Sequence, residues 1–71
     1  MVREHLKDFR LMKRMSQEEF AKALGYSRIM YQQVESGARN GTQEFWNALQ
    51  KQFDIADADM WKLMKKTEKR G

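Results

Sequence analysis

The stretch SQEEFAKALGYSRIMYQQVESG, residues 16–37, carries the signals of two short helices joined by a tight turn. Ser16 and Glu19 form a capping box, because the serine oxygen and the glutamate carboxylate can each accept an unpaired N–H of the first turn. Gly25 is placed to end this helix in the left-handed conformation that glycine favours, and Ser27 is placed to cap the next helix. The stretch is therefore typical of a helix-turn-helix unit.

Helical spacing continues on both sides of this unit. Val2, Leu6 and Phe9 recur at a helical interval, and alternating apolar and polar runs, which would indicate strands, are missing. We therefore predict a compact all-α domain of five helices over residues 1–64, followed by a basic, frayed C-terminal tail over residues 65–71. The predicted helices cover residues 2–14, 17–24 and 28–36, then one that Thr42 caps and one that begins after Ala56.

The composition narrows the classes of function. The 71 residues include no cysteine and a single histidine, so we predict no metal site. A glycine-rich phosphate loop and a nucleophile elbow are both missing, so we predict no catalytic residues, no enzyme activity and no cofactor. No apolar run approaches the length needed to cross a bilayer. We expect a cytoplasmic protein with no membrane partner and no small-molecule ligand. The net charge of +4 favours nucleic acid only weakly.

The third predicted helix, residues 28–36, has two unlike sides. At 100° per residue, Tyr31 and Val34 share one side with Glu35, and the opposite side carries no acidic residue. That outer side consists of Ile29, Gln32, Gln33 and Ser36, flanked by Arg28 and Met30. Glutamine amides pair with adenine, arginine pairs with guanine, and an aliphatic side chain can contact a thymine methyl group, so this side suits a major groove. An ordinary solvated surface with one exposed isoleucine is the alternative.

The chain from Phe9-Arg10 through the capping box and Leu24-Gly25-Tyr26-Ser27-Arg28 to Glu35-Ser36-Gly37 resembles the XRE family. This family includes the DNA-binding domains of lambdoid phage Cro proteins and repressors, and the resemblance covers residues 2 to about 64. It implies a lambda-repressor-like fold and a dimer on double-stranded operator DNA, with the third helix in the major groove. The implied function is a sequence-specific transcriptional regulator, a repressor, in a prokaryotic cell or the host of a phage or mobile element.

The resemblance also assigns residues to roles. The positions that match the family's base contacts are Arg28, Ile29, Gln32 and Gln33. The positions that match its phosphate contacts are Gln17, Ser27, Arg39, Asn40, Thr42 and Gln43. Two positions depart from the family pattern, which commonly has a proline near Gly41 and an apolar residue in place of Tyr31. The tyrosine hydroxyl therefore needs a hydrogen-bond partner at the edge of the core.

Arg10 and Glu35 both lie beside apolar stripes, where an unpaired charge is costly. The resemblance implies that they form a partly buried structural ion pair, and two solvated charges at helix edges are the alternative. We expect Trp46 and Trp61 to lie partly in the core. The resemblance places a weak homodimer contact, formed on palindromic DNA, around residues 56–61.

A protein-interaction module on the same scaffold is the rival interpretation of the fold. An antitoxin domain or a subunit of a larger complex would show the same helices. The outer residues of the third helix distinguish DNA binding from protein binding, because a protein partner would favour acidic or bulky apolar side chains there. Arg28, Gln32 and Gln33 favour DNA.

Overall fold

The computed structural model describes residues 2–67, and these residues form five α-helices. The helices are α1 (Glu4–Met12), α2 (Gln17–Leu24), α3 (Arg28–Ser36), α4 (Gln43–Phe53) and α5 (Asp57–Met64). Within this described part, the β-type pairing consists of one isolated bridge between Val2 and Thr67. The predicted all-α fold with five helices is confirmed, and α3 has the predicted bounds.

Local capping residues set the ends of α2, α3 and α4. The Ser16 hydroxyl oxygen accepts from the Glu19 N–H at 3.1 Å, and the Glu19 carboxylate accepts from the Ser16 N–H at 2.8 Å. The side chains of Ser27 and Thr42 accept in the same way at the starts of α3 and α4. Gly25 ends α2 with φ of 84°, a left-handed conformation that glycine adopts without strain. The predicted capping box, caps and turn are all present.

The first helix is shorter than the predicted range of 2–14. Val2 is extended and pairs with Thr67, with N···O distances of 3.1 and 2.7 Å for the two backbone hydrogen bonds. At the other end, Arg14 has a left-handed φ of 57°, which helix geometry does not allow. Helical spacing therefore overestimated α1, because a distant partner and a turn set its ends.

The C-terminal segment also differs from the prediction of a tail that frays from Lys65. Thr67 is anchored to Val2 through both backbone bonds, and its hydroxyl donates to the Val2 carbonyl at 3.1 Å. Residues 68–71 lie outside the described residues, so fraying there stays a prediction.

An aromatic cluster fills the centre of the core. The ring of Phe20 stacks on Phe53 with centroids 4.9 Å apart and lies 5.0 Å from the ring of Tyr31. The buried apolar residues are Leu6, Phe20, Ala21, Leu24, Tyr31, Val34, Phe45, Trp46, Leu49, Met60 and Leu63. Because α3 contributes only Tyr31 and Val34 to this set, its opposite side remains at the surface.

The two tryptophans lie in different environments. Trp46 is buried, and its indole N–H donates to the Asn40 carbonyl at 3.3 Å. Trp61 is 57% exposed, so the expectation that it lies partly in the core is wrong. Met60 and Leu63 are the residues that attach α5 to the core, and Trp61 lies about 100° around the helix from Met60.

Candidate nucleic-acid interface

The outer side of α3 carries the four residues predicted to contact bases, and we call them the α3 face: Arg28, Ile29, Gln32 and Gln33. Three of them are exposed and Gln33 is half-buried, whereas Tyr31, Val34 and Glu35 point into the core. Ile29 is 61% exposed although it is aliphatic. The first turn of α3 contains no acidic residue. The structure therefore brings the four predicted residues together on one accessible face.

Two arginines bond to the glutamine side chains of the α3 face. The Nη1 atom of Arg28 donates to Oε1 of Gln32 at 3.3 Å, one helical turn further on. The Nε atom of Arg39 donates to Oε1 of Gln33 at 3.0 Å from the loop after α3. Each glutamine amide thus has its oxygen bonded to a guanidinium, and its NH₂ group remains to make another contact.

The backbone of Arg39 is also fixed to α3. Its N–H donates to the Gln33 carbonyl at 3.1 Å, which adds to the side-chain contact between the same two residues. Since Nε makes the side-chain contact, both terminal guanidinium nitrogens can still bind a phosphate. The structure therefore places this predicted phosphate residue directly beside a predicted base contact.

Other predicted phosphate positions lie at or beside the starts of α3 and α4. Ser27 and Thr42 each use the hydroxyl oxygen to accept a helix N–H, which leaves the hydroxyl hydrogen able to donate to a phosphate. Asn40 and Gln43 are exposed beside the start of α4, and the Gln43 amide donates to Asn47 at 2.9 Å. Free N–H groups and the helix dipole make such starts favourable for anions.

Gln17 is the first residue of α2. It is half-buried, and its amide donates to Oε1 of Glu35 at 3.1 Å. A cleft of about 170 Å³ opens beside it, lined also by Lys7 and Gln32. Sequence reasoning did not single out Lys7, because a lysine on an amphipathic helix is usually an ordinary solvated residue.

Arg10 and Glu35 form the ion pair that joins α1 to α3. The Nε and Nη2 atoms of Arg10 donate to the two Glu35 oxygens at 2.9 and 3.3 Å, and the two side chains are only 9% and 7% exposed. Tyr31 donates its hydroxyl to Glu35 as well. This contact supplies the partner that the buried tyrosine hydroxyl needs.

Burial and hydrogen bonding act in opposite directions on the acid of this network. Burial alone would raise the pKa of Glu35, but hydrogen bonds from Arg10, Tyr31 and Gln17 outweigh burial and lower it. The carboxylate is therefore charged in the folded protein. Burial and the bond to Glu35 raise the pKa of Tyr31, which keeps its hydroxyl protonated as a donor.

Arg3 is a buried residue that sequence reasoning missed, and it fastens the loop after α3. It is only 3% exposed. Its guanidinium donates to the backbone carbonyls of Val34, Arg39 and Asn40, the last two at 2.9 and 3.2 Å. Its Nε donates to the Met64 carbonyl at 2.9 Å. One side chain therefore connects the end of α5 to the loop that carries Arg39.

Burial lowers the pKa of Arg3, and the side chain meets carbonyl oxygens and an aromatic ring. The guanidinium carbon lies 5.3 Å from the centroid of the Trp46 ring, a favourable cation–π distance. No sequence signal could have indicated this role, because the acceptors are 31 to 61 residues away.

Gly41 allows the loop to approach the same indole. Its φ is 78°, and a Cβ placed there would lie 3.0 Å from the Trp46 indole nitrogen. Glycine thus satisfies both a left-handed backbone and a close contact. The proline that the family commonly has near this point could not adopt such a φ at residue 41.

The five helices and the exposed α3 face define a small helix-turn-helix domain. A family model described as helix-turn-helix matches residues 6–59. The chain belongs to this family, the XRE type of helix-turn-helix, whose members are DNA-binding regulatory domains and not enzymes. Neither a curated protein nor a solved structure gives a significant match to the chain. Among residues 2–67, no helix has the length and apolar character to cross a membrane.

Proposed function

We propose that this chain is a sequence-specific regulator of transcription that inserts α3 into the major groove of double-stranded DNA. The observation that carries the proposal is the α3 face, where an arginine, two glutamines and an isoleucine are accessible together. A major groove is wide enough to admit an α-helix, and these side chains match its base edges. A solvated helix without a nucleic-acid partner would more often mix glutamate and lysine on such a face.

Contacts to phosphate would set the position of α3 in the groove. The Ser27 hydroxyl lies at the start of α3, and the Arg39 side chain lies just after its end. The Thr42 hydroxyl lies at the start of α4. Most protein–DNA hydrogen bonds go to the DNA backbone and fix register without carrying sequence information. Gln17, Asn40 and Gln43 complete the proposed set.

A weak homodimer on a palindromic operator extends the proposal. One α3 face contacts only a few base pairs, and a twofold pair spaced about 34–36 Å apart would contact two half-sites. Trp61 is an exposed apolar residue within the expected contact around residues 56–61, and the exposed Met64 lies one turn further along α5. Sedimentation on the preferred duplex should show two protomers per site for the wild type and a lower occupancy for Trp61→Glu. One protomer per duplex at saturating wild-type protein would contradict the dimer.

Repression is the regulatory outcome that we propose. A protein bound over a promoter excludes other proteins from that DNA, so operator occupancy alone suffices. In a cell that carries the operator upstream of a reporter, expression of this chain should lower reporter output. An increase would contradict the repressor role while leaving DNA binding intact. The site of action would be the cytoplasm, where prokaryotic DNA lies.

The direct test is selection of preferred sequences from a randomised duplex pool, followed by binding isotherms. Gln33→Ala should weaken binding to the preferred duplex by about 1–3 kcal/mol and leave binding to random DNA almost unchanged, because only base contacts are lost. Gln52→Ala is a matched control, since Gln52 is exposed on α4. No preference among sequences for the wild type would contradict the proposal and favour a protein partner.

A further inference from the structure

The hydrogen bonds that the two glutamine side chains of the α3 face already make bear on which bases they can contact. Oε1 of Gln33 accepts from Arg39 at 3.0 Å, and Oε1 of Gln32 accepts from Arg28 at 3.3 Å. A glutamine amide normally offers an acceptor and a donor side by side. Here a guanidinium donates to one lone pair of each amide oxygen and places its positive charge and other N–H groups beside the second, so the NH₂ group is the part of the amide that is open to DNA.

We propose that Arg28 and Arg39 hold these amides so that the α3 face presents hydrogen-bond donors and selects G·C pairs where Gln32 and Gln33 make contact. This inference rests on the proposed function, because it names the base chemistry that the same site recognises. Arg39 is then a specificity-determining residue through its effect on Gln33, in addition to any contact with phosphate.

The chemistry of the base edges gives the preference. The bidentate contact of glutamine with adenine needs the amide oxygen to accept from N6 while the amide nitrogen donates to N7. With a guanidinium on that oxygen, the adenine amino group would approach other N–H donors and a positive charge. Guanine presents only acceptors, O6 and N7, in the major groove. A donor face therefore fits guanine and opposes adenine.

Two backbone contacts of Arg39 support its side-chain contact with Gln33. The Arg39 N–H bonds the Gln33 backbone carbonyl at 3.1 Å. The Arg39 carbonyl accepts from the buried Arg3 at 2.9 Å. Hydrogen bonds from a charged donor are stronger than neutral ones, and they strengthen further when DNA excludes water. The backbone around Arg39 is therefore set before DNA arrives, and the side chain reaches Gln33 from a fixed point.

The contact between Arg28 and Gln32 has a different origin. The two residues are one turn apart on α3, where side chains four positions apart are neighbours. No loop residue is needed for it. The two arginines can therefore be removed one at a time, and each removal should alter recognition at a different base pair.

The experiment is selection from a randomised duplex pool with the wild type and five variants. Gln33→Ala and Gln32→Ala assign the base pairs that each glutamine contacts, because the preference at that pair is lost. Arg39→Met and Arg28→Met remove one guanidinium each and keep an apolar stem. Lys51→Met, at an exposed position on α4, is the control for loss of one positive charge. Circular dichroism establishes that every variant keeps its helices.

We expect the wild type to select G·C at both assigned pairs. At the base pair assigned to Gln33, Arg39→Met should change the preference from G·C towards A·T, by about tenfold or more in relative affinity, because the freed amide can make the bidentate adenine contact. Arg28→Met should change the preference in the same way at the base pair assigned to Gln32. Lys51→Met should leave every preference unchanged. If Arg39→Met fails to fold, Arg28→Met carries the test alone, since both ends of its contact are exposed on one helix.

Two results would overturn the inference and leave sequence-specific binding intact. One is a wild-type preference for A·T at the assigned pairs. The other is a uniform loss of affinity for Arg39→Met with the G·C preference retained, which would assign Arg39 to phosphate alone. No sequence preference for the wild type would instead contradict the proposed function, and the inference with it.

Discussion

Glu35→Gln is the substitution that most directly tests how this small domain is held together. Glu35 accepts hydrogen bonds from Arg10, Tyr31 and Gln17, and its side chain is 7% exposed. Glutamine has the same shape but no charge. The change would leave the Arg10 guanidinium, which is 9% exposed, without a counter-charge. One amide oxygen and the Met15 carbonyl, at 2.8 Å, would remain as acceptors, and the new NH₂ group would face other donors.

The expected loss of stability is large for a chain of this size. Removing one partner of a buried ion pair costs about 3–5 kcal/mol, because the remaining charge is uncompensated. A domain of this length has a free energy of unfolding of about 4–11 kcal/mol in total. The substitution should therefore remove about a quarter or more of the stability and lower the Tm by at least about 12 °C.

Urea titration and thermal unfolding, both followed by circular dichroism, measure these quantities. Glu44→Gln is the matched control, because Glu44 is an exposed glutamate in the first turn of α4. Its removal loses only a surface interaction with the helix dipole, worth about 1 kcal/mol or less. If Glu35→Gln were to cost as little as this control, the pair would behave as a surface pair and the reasoning from burial would be wrong.

Three further perturbations have definite expected outcomes. Folding lowers the pKa of Glu35, so the charged carboxylate stabilises the fold fully above the unfolded pKa of about 4.5, and this contribution is lost as the pH falls through the lower folded pKa. Urea titrations across this pH range should show that the free energy of unfolding falls less on acidification for Glu35→Gln than for the wild type. Gly41→Ala should destabilise more than Gly25→Ala in thermal unfolding, because both positions have a left-handed φ but only a Cβ at Gly41 meets the Trp46 indole; equal effects would mean that the indole contact costs nothing. Arg3→Met should cost about 2 kcal/mol or more, because several buried carbonyls lose their donor, and amides of the loop after α3 should exchange faster with deuterium; unchanged exchange would contradict the fastening role of Arg3.

The features that sequence reasoning predicted correctly are local ones. The Ser16 capping box, the left-handed Gly25 and the caps at Ser27 and Thr42 each depend on residues within four positions of one another. Such signals can be identified from the chain itself. The outer side of α3 follows in turn, because the positions of Tyr31 and Val34 on one side of a helix determine what lies opposite.

The features that sequence reasoning missed depend on residues far apart in the chain. The carbonyl partners of Arg3 and the pairing of Val2 with Thr67 have no counterpart in local spacing. Trp61 was misplaced for a related reason, since periodicity alone does not tell which side of a short helix meets the core. The bond between Arg39 and Gln33 crosses the turn at Gly37, which has a left-handed φ of 88°.

The pairing of Val2 with Thr67 has a consequence for the order in which the molecule opens. The two residues are 65 positions apart, so their contact closes a loop of nearly the whole described chain. Closing so long a loop costs chain entropy, which is recovered only once the intervening helices have packed. We therefore expect this contact to form last in folding and to break first in unfolding. Because Arg3 adjoins Val2, the loop beside the α3 face should loosen in the same early step.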